Sequence, residues 1–287
     1  MATFADVFTG SDGKKLYRGR SVALVHLLDG SFGVASSMSA RSTGNRKYEP
    51  CGSTGAVRVV PTKSADPKRN PNDSLHFYNV IVPFKRSSDE TGLIAGNGIQ
   101  TDEIYRSALV YLGHGSSGIL STGSKISVPR MYYNSRSNSW EWINIMAHEP
   151  DTDSGGVYQC TSRISALVLQ GERGLDPAML TSFCQDTSKP KCYQIDGVFP
   201  DPEIRDFSFE MHDVVDPGHG RVLMTYTGET INGRLMPMFD DPIDVRLTGR
   251  NAQEIAEELR AAMNPDHFLA VACMIPGKPP VIINKED

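Results

Sequence analysis

The stretch Ser21-Val-Ala-Leu-Val-His-Leu-Leu-Asp-Gly-Ser-Phe-Gly-Val-Ala-Ser-Ser37 contains two apolar runs joined by a turn. The runs Ser21 to Leu28 and Ser31 to Ser37 have the length and composition of β-strands. Between them, Leu28-Asp29-Gly30-Ser31 contains the Asp-Gly pair that is typical of a two-residue hairpin turn. The sequence therefore predicts two neighbouring antiparallel strands at the start of the fold.

Similar apolar runs, bounded by turn residues, recur along the chain and predict further strands. They are Gly55–Val60, Leu75–Val82, Trp140–Met146, Ile164–Leu169, Arg221–Tyr226, Ile243–Leu247, His267–Met274 and Pro280–Ile283. Helical spacing predicts two helices, Ala252–Met263 after an Asn251 cap and Asp102–Leu112 after Thr101 or Asp102 as the cap. Many strands with few amphipathic helices indicate an α+β fold. We expect a single domain over residues 1–287, with loop insertions near 62–73 and 134–139.

Composition narrows the class of protein. With 39% apolar and 22% charged residues, the chain should fold, and its net charge of -5 argues against broad nucleic-acid binding. We find no signal peptide and no apolar stretch that could span a membrane. Five cysteines without a C-x-x-C pair fit reduced thiols, and the aspartate-rich turns lack the glycine and distal glutamate of a calcium loop. A cytoplasmic protein without a metal site or a membrane partner is expected.

The segment Ser39-Ala-Arg-Ser-Thr-Gly-Asn-Arg46 combines arginines with small hydrogen-bonding residues, and Arg18 and Arg20 precede it. Guanidinium groups bind phosphate or carboxylate bidentately, and hydroxyl and backbone N–H groups add neutral donors. This mixture predicts an anion site. The alternative is a solvated loop with ordinary surface arginines.

Two further segments carry polar residues where apolar ones would be expected. Tyr78 and Asn79 lie inside an apolar run, so they need hydrogen-bond partners if they are buried. The glycine-rich turn Ala95–Asp102 leads into the predicted helix, whose free N–H groups favour anions. Each has a structural alternative, a core tyrosine in the first case and a turn with a helix cap in the second.

The order of these motifs resembles the archaeal-type IMP cyclohydrolase family over about the first 130 residues. The motifs, in order, are Tyr17-Arg-Gly-Arg20, Ser39-x-Arg-Ser-x-x-Asn-Arg46, Asn70-Pro71, Tyr78-Asn79, Asn97-Gly-x-x-Thr-Asp102 and Pro129-Arg130. Beyond them the resemblance fades to Phe268–Ala272. It implies a four-layer α/β/β/α sandwich of mostly antiparallel sheets, like that of the N-terminal-nucleophile hydrolases.

The resemblance also implies an activity, the dehydrative closure of formyl-AICAR monophosphate to IMP in purine biosynthesis. A purine nucleotide is then the partner, no cofactor is needed, and a homo-oligomer is expected. The implied catalytic residues are Tyr78 for proton transfer and Arg46 for electrostatic stabilisation. The implied substrate contacts are Arg20, Ser39, Arg41, Ser42, Asn45, Asn79, Asn97, Thr101, Asp102 and Arg130.

One departure from the family pattern concerns an acidic residue expected before Pro129-Arg130. Between Ile104 and Arg130 the chain has no Asp or Glu. His114 is the candidate replacement, because histidine titrates near neutrality. Two other functions stay open: a purine-nucleotide-binding protein without catalysis, and a related cyclohydrolase or N-terminal-nucleophile amidohydrolase acting on a different small substrate.

Overall fold

In the computed structural model of the chain, two large β-sheets contain most of the described strands. The structure describes residues 1–40, 46–52, 54–62, 78–85, 91–98, 101–102, 105, 129–134, 139–144, 163–171, 174–183, 191–194, 208–211, 215–231, 234–238 and 242–285.

The described strands, in chain order, are β1 (Arg20–His26), β2 (Phe32–Ser39), β3 (Arg46–Pro50), β4 (Val57–Pro61), β5 (Asn79–Lys85), β6 (Thr91–Gly96), β7 (Pro129–Asn134), β8 (Ser139–Asn144), β9 (Arg163–Gly171), β10 (Gly174–Phe183), β11 (Lys191–Gln194), β12 (Ser208–Met211), β13 (His219–Met224), β14 (Tyr226–Ile231), β15 (Arg234–Pro237), β16 (Ile243–Arg246), β17 (Phe268–Met274) and β18 (Val281–Asn284). The first sheet has the order β16-β13-β1-β2-β17-β18, and the second has the order β12-β11-β10-β9-β6-β5-β4-β3. Only β11 and β12 pair in parallel among these strands; β7–β8 and β14–β15 form separate two-stranded sheets.

The predicted hairpin forms the centre of the first sheet. β1 and β2 are antiparallel neighbours, with Ala23 opposite Ala35. Alternate side chains face opposite sides of a strand, so Val22 and Leu24 enter the core between the sheets, whereas Ala23 and Val25 enter a second core on the other face. Burial of both faces explains why these strands read as continuous apolar runs rather than as alternating patterns.

Two helices cover the outer face of the first sheet. These are α1 (Phe4–Val7) and α2 (Ala252–Ala262), and α2 confirms the prediction to within one residue. As predicted, Asn251 caps α2, and its side-chain oxygen accepts a hydrogen bond from the Glu254 backbone N–H at 3.0 Å. The apolar face of α2 buries Ile255, Ala256, Leu259 and Ala262 against the sheet.

The inner face of the first sheet packs against the second sheet. Their shared core combines Leu24 and Val34 of the first sheet with Val57, Leu93 and Ala166 of the second. A helical layer and two packed sheets, mostly antiparallel, confirm the α+β class.

Several strands were not predicted. β3, β6, β7, β10 to β12, β14 and β15 had no predicted counterpart; β3 begins at the last residue of the predicted anion segment, and β6 ends inside the predicted glycine-rich turn. At the predicted helix 102–112, Asp102 and Tyr105 are helical, as is the preceding Thr101. The other residues of this prediction lie outside the described ones. Of the expected insertions, residues 63–73 and 135–138 lie outside the description too, whereas Asn134 and Ser139 pair at the ends of β7 and β8.

Within the part of the chain that the structure describes, no helix combines the length and the apolar character needed to cross a membrane.

We expect Leu259→Ala to lower the free energy of unfolding by about 2–5 kcal/mol, because the substitution leaves a cavity under α2. Leu259 is fully buried, whereas Leu28, in the β1–β2 turn, is 66% exposed. Leu28→Ala is therefore the matched control and should change stability by less than about 0.5 kcal/mol. Urea unfolding monitored by circular dichroism measures both; equal losses would contradict the placement of α2.

The Cys273 thiol should resist alkylation in the folded protein. It is buried in the core beneath α2, and burial raises its pKa to about 12, although a hydrogen bond from the Met274 backbone acts to lower it. Only the thiolate reacts, so iodoacetamide at pH 8.5 should leave Cys273 unmodified and should modify the half-buried Cys51. Mass spectrometry of the digested protein measures both sites, and rapid native labelling of Cys273 would contradict its burial.

Candidate functional site

Arg20 begins β1 at the end of the sandwich and extends from the first sheet to the second. Its Nη1 donates a hydrogen bond to the backbone carbonyl of Asn97, just after β6. Its guanidinium carbon lies 5.3 Å from the ring centroid of Tyr78, within the range of a cation–π contact. Arg20 therefore connects the two sheets through one hydrogen bond and one aromatic ring.

The backbone around Arg20 is fixed by Thr225. The Thr225 hydroxyl accepts a hydrogen bond from the Arg20 N–H at 3.0 Å and donates one to the Arg18 carbonyl at 3.1 Å. Gly19, between the two arginines, has φ +73°, a conformation that glycine adopts without steric cost. This turn sets the direction in which Arg20 leaves the sheet.

The surroundings of Arg20 favour its charged form. Burial acts to lower its pKa, but surrounding tyrosines outweigh that effect and raise the pKa above the ordinary arginine value. The four tyrosines are Tyr17, Tyr48, Tyr78 and Tyr226. None of the described carboxylates forms an ion pair with Arg20. A protonated guanidinium that no described carboxylate neutralises is a candidate contact for an anion.

Tyr78 places a second incompletely bonded group beside Arg20. The residue is 5% exposed, and its backbone carbonyl accepts a hydrogen bond from the Val59 N–H at 2.9 Å. Among the described residues, its hydroxyl has no hydrogen-bond partner. Buried hydroxyls are nearly always hydrogen-bonded, so Tyr78 is a candidate ligand contact.

Tyr48 and Arg46 approach the same region from β3. They are two residues apart on the strand and therefore face the same side. The buried Tyr48 hydroxyl lies 3.4 Å from the Ser36 hydroxyl of β2. Burial and the neighbouring Tyr78 raise the pKa of Tyr48 far above its ordinary value, whereas Arg20 and Arg46 act in the opposite direction. Tyr48 is thus a neutral hydroxyl at physiological pH, and Arg46 is within electrostatic reach of it.

Asn97 and Thr101 make hydrogen bonds that hold the backbone. The Asn97 side-chain oxygen accepts from the Ile164 N–H at 3.0 Å, and the Asn97 N–H donates to the Ile164 carbonyl at 3.2 Å. The fully buried Thr101 hydroxyl donates to the Gly98 carbonyl at 2.9 Å. These bonds join the end of β6 to the start of β9 and close the turn that follows.

Asn79 and Asp102 form a pair of their own. The Asn79 side-chain amide donates to the Asp102 carboxylate at 2.7 Å. The adjacent Tyr78 side chain instead belongs to the core between the sheets. The two predicted substrate contacts therefore bond each other.

The remaining predicted residues are distributed more widely. Ser39 ends β2, and its N–H donates to the Gly19 carbonyl at 3.0 Å. Arg18 donates to the Val7 carbonyl at the end of α1, so it serves the fold. Arg130 lies on β7, opposite Ile143 of β8. Arg41, Ser42, Asn45 and His114 lie outside the described residues.

The Arg20–Tyr78 site is therefore defined by Arg20, Arg46, Tyr48, Tyr78 and Asn97. No protein-family model matches the chain, and neither does any curated protein.

This geometry provides positive charge, a buried hydroxyl and an enclosed position between two sheets. Such a site can bind an anion, stabilise negative charge that develops on an oxygen atom, and exchange a proton through Tyr78. The described residues contain no cluster of three His, Cys, Asp or Glu side chains placed to hold a metal ion.

Sequence reasoning missed Tyr48 and Thr225. Tyr48 is one aromatic residue among charged neighbours in Arg46-Lys-Tyr-Glu-Pro50, so its segment lacked the apolar pattern of a strand. Thr225 is about two hundred positions from Arg20 in sequence, and no local pattern connects it to the site.

Gly19→Ala should disrupt the turn that orients Arg20. A Cβ there would lie 2.2 Å from the Thr225 hydroxyl and 2.6 Å from the Tyr226 ring. We expect a loss of at least about 2 kcal/mol in unfolding free energy from the left-handed backbone together with the overlap. Gly13→Ala is the control, because Gly13 has φ +77° with no atom within 4 Å of the added Cβ.

Chemical denaturation of both variants separates the two costs. Gly13→Ala measures the backbone cost alone, so Gly19→Ala should be the less stable protein. Equal stabilities would show that the contact with Thr225 and Tyr226 is not tight.

Proposed function

We propose that the protein is an IMP cyclohydrolase that closes formyl-AICAR monophosphate to IMP. The observation that carries the proposal is the pairing of Arg20, which has no described anionic partner, with the Tyr78 hydroxyl, which has no described hydrogen-bond partner. Ring closure requires charge stabilisation and proton transfer at one oxygen atom, and these two groups supply them side by side. The ordered motifs of the first 130 residues give independent support.

In the proposed reaction, the carboxamide nitrogen of the substrate attacks its own formyl carbon. As the C–N bond forms, negative charge develops on the formyl oxygen, and Tyr78 transfers its proton there. The nitrogen loses a proton to the phenolate, which gives a neutral carbinolamine. Tyr78 then protonates the hydroxyl, the carbon–oxygen bond breaks with release of water, and the phenolate takes the N–H proton of the former formamide nitrogen, which leaves the C=N bond of IMP. Both reacting groups belong to one molecule, so the protein supplies orientation, charge and protons.

The arginines share the electrostatic work. Arg20 contacts the ring of Tyr78, the proposed proton-transfer group. Arg46, which was our predicted oxyanion-stabilising residue, faces the side of β3 that carries Tyr48. We assign the developing oxyanion to these two cations. We assign binding of the substrate phosphate to Arg41, Ser42 and Asn45.

The proposal includes the four-layer sandwich that the family resemblance implies. Support comes from the outer face of the second sheet, where Ile94 and Leu167 are fully buried although neither belongs to the core between the sheets. They lie opposite each other on β6 and β9. A buried apolar face of this kind requires a covering layer. The proposal also includes a cytoplasmic location, a homo-oligomeric state and a reaction that needs no cofactor.

An N-terminal-nucleophile amidohydrolase receives less support. Thr3 would be the candidate nucleophile, but its hydroxyl donates to the Asp6 carboxylate at 2.8 Å and accepts from the Asp6 N–H. Thr3 therefore serves as the N-cap of α1.

The direct test is turnover of formyl-AICAR monophosphate, followed by the absorbance of IMP. Tyr78→Phe should lower kcat by about 10²–10⁴-fold, because the proton-transfer group is removed. Arg20→Gln should lower kcat/KM by about 10²–10³-fold through lost charge stabilisation. Arg46→Ala should also lower the rate strongly.

Arg58→Gln is the matched control, because Arg58 is an exposed arginine on β4 of the second sheet. It should keep the wild-type rate, and thermal unfolding should show that all four variants fold. Wild-type turnover in Tyr78→Phe would refute the assigned role. Binding of IMP without any turnover would identify a nucleotide-binding protein instead.

A further inference from the structure

A groove on the opposite side of the first sheet has the properties of a second ligand site. It has a volume of about 1000 Å³ and lies between the C-terminal half of α2, the start of β17 and the end of β18. This volume is at the upper end of the range of small-molecule sites. None of the residues that define the Arg20–Tyr78 site lines it.

Two of the three cationic side chains of this groove contact the rest of the protein, and the third extends from a fixed backbone position. Lys15 Nζ donates hydrogen bonds to the carbonyls of Ala261 and Met263 at the end of α2. The Arg260 guanidinium carbon lies 5.7 Å from the Phe268 ring centroid, a cation–π contact that limits the freedom of the side chain. The backbone N–H of Lys285 donates to the Leu269 carbonyl at 2.8 Å, which fixes the position from which that side chain extends.

The charge of the groove differs from that of the whole protein. Lys15, Arg260 and Lys285 line it together with one carboxylate, Glu257. That carboxylate already accepts a hydrogen bond from the Gln253 amide at 2.7 Å. The surplus of two positive charges is local, because the chain as a whole carries a net charge of -5. It matches the charge of a phosphate monoester near neutral pH, which is between about -1.5 and -2.

The groove also has an apolar wall, formed by Met263, Pro265, Phe268 and Ile283. The Asn284 side chain, next to Ile283, accepts from the Tyr48 N–H at 2.9 Å and donates to the Tyr48 carbonyl at 3.0 Å. These two bonds attach the end of β18 to β3 and fix the strand that carries this wall.

We propose that the groove binds a small organic phosphate. The phosphate contacts Arg260 and Lys285, and the carbon portion of the ligand packs against Phe268 and Ile283. Arginine provides a planar fork of donors for phosphate oxygens, and lysine adds a point charge. This inference does not depend on the proposed cyclohydrolase activity.

Phenyl phosphate is a suitable probe, because it combines the phosphate dianion with an apolar ring. Isothermal titration calorimetry should be done on the full chain carrying Arg20→Gln, which weakens anion binding at the Arg20–Tyr78 site. We expect binding that weakens as salt is added, and its dependence on Arg260 and Lys285 assigns it to the groove. Adding Arg260→Gln and Lys285→Gln should lower the affinity by about tenfold or more.

Arg250→Gln is the matched control, since Arg250 is exposed, precedes α2 and does not line the groove. It should leave the affinity unchanged. Absence of binding to the Arg20→Gln protein, or equal affinity after the Arg260 and Lys285 substitutions, would overturn the groove proposal. Neither result bears on turnover, so failure of this proposal and failure of the cyclohydrolase proposal are distinguishable.

Amide chemical shifts provide a second measurement on the wild-type chain, which applies even if Arg20→Gln does not fold. Titration with phenyl phosphate should shift the amides of Phe268, Ile283 and Lys285. Shifts confined to the surroundings of Arg20 and Tyr78 would contradict a second site.

Discussion

Burial of the β1–β2 hairpin on both faces is the constraint on which the rest of the structure depends. One face of these strands contacts the helices and the other contacts the second sheet. Buried polar groups need partners, and the serines of the hairpin have them: the Ser21 and Ser37 hydroxyls lie 2.6 Å apart, and the Ser36 hydroxyl lies near that of Tyr48. Arg20 is the residue at which this buried strand begins. The position of the charge is therefore a consequence of where the core ends.

A cation at the edge of a two-sided core is costly in free energy, and the same enclosure makes its interactions with a ligand stronger. The Asn97 carbonyl and the Tyr78 ring offset part of the cost. Neither carries a full negative charge. In the function that we propose, an anion or a developing oxyanion supplies that charge and completes the arrangement.

Sequence patterns predicted the strands whose residues are buried on both faces, such as β1, β2 and β17, and the amphipathic helix α2. Sequence patterns failed for strands that lack a continuous run of apolar residues. In β3 only Tyr48 is fully buried, β6 contains two glycines, and β10 contains Pro177. For the site, local motifs identified Arg20, Arg46, Tyr78 and Asn97, but not the contacts between them. The contacts of Arg20 with Asn97 and Tyr78 join the start of β1 to residues next to β6 and β5 in the other sheet, and no local pattern records which strands face each other.

Asn97 illustrates how a predicted ligand contact acquires a different role once the fold is known. Its side-chain oxygen accepts from the Ile164 N–H, so that lone pair is engaged by β9 rather than by a substrate. Its backbone carbonyl accepts from Arg20. Through one residue, the register of β6 and β9 in the second sheet fixes the position of a guanidinium that starts in the first sheet. The distance between Arg20 and Tyr78 is thus set by how the two sheets pack, and the site is a property of the sandwich rather than of any one of its loops.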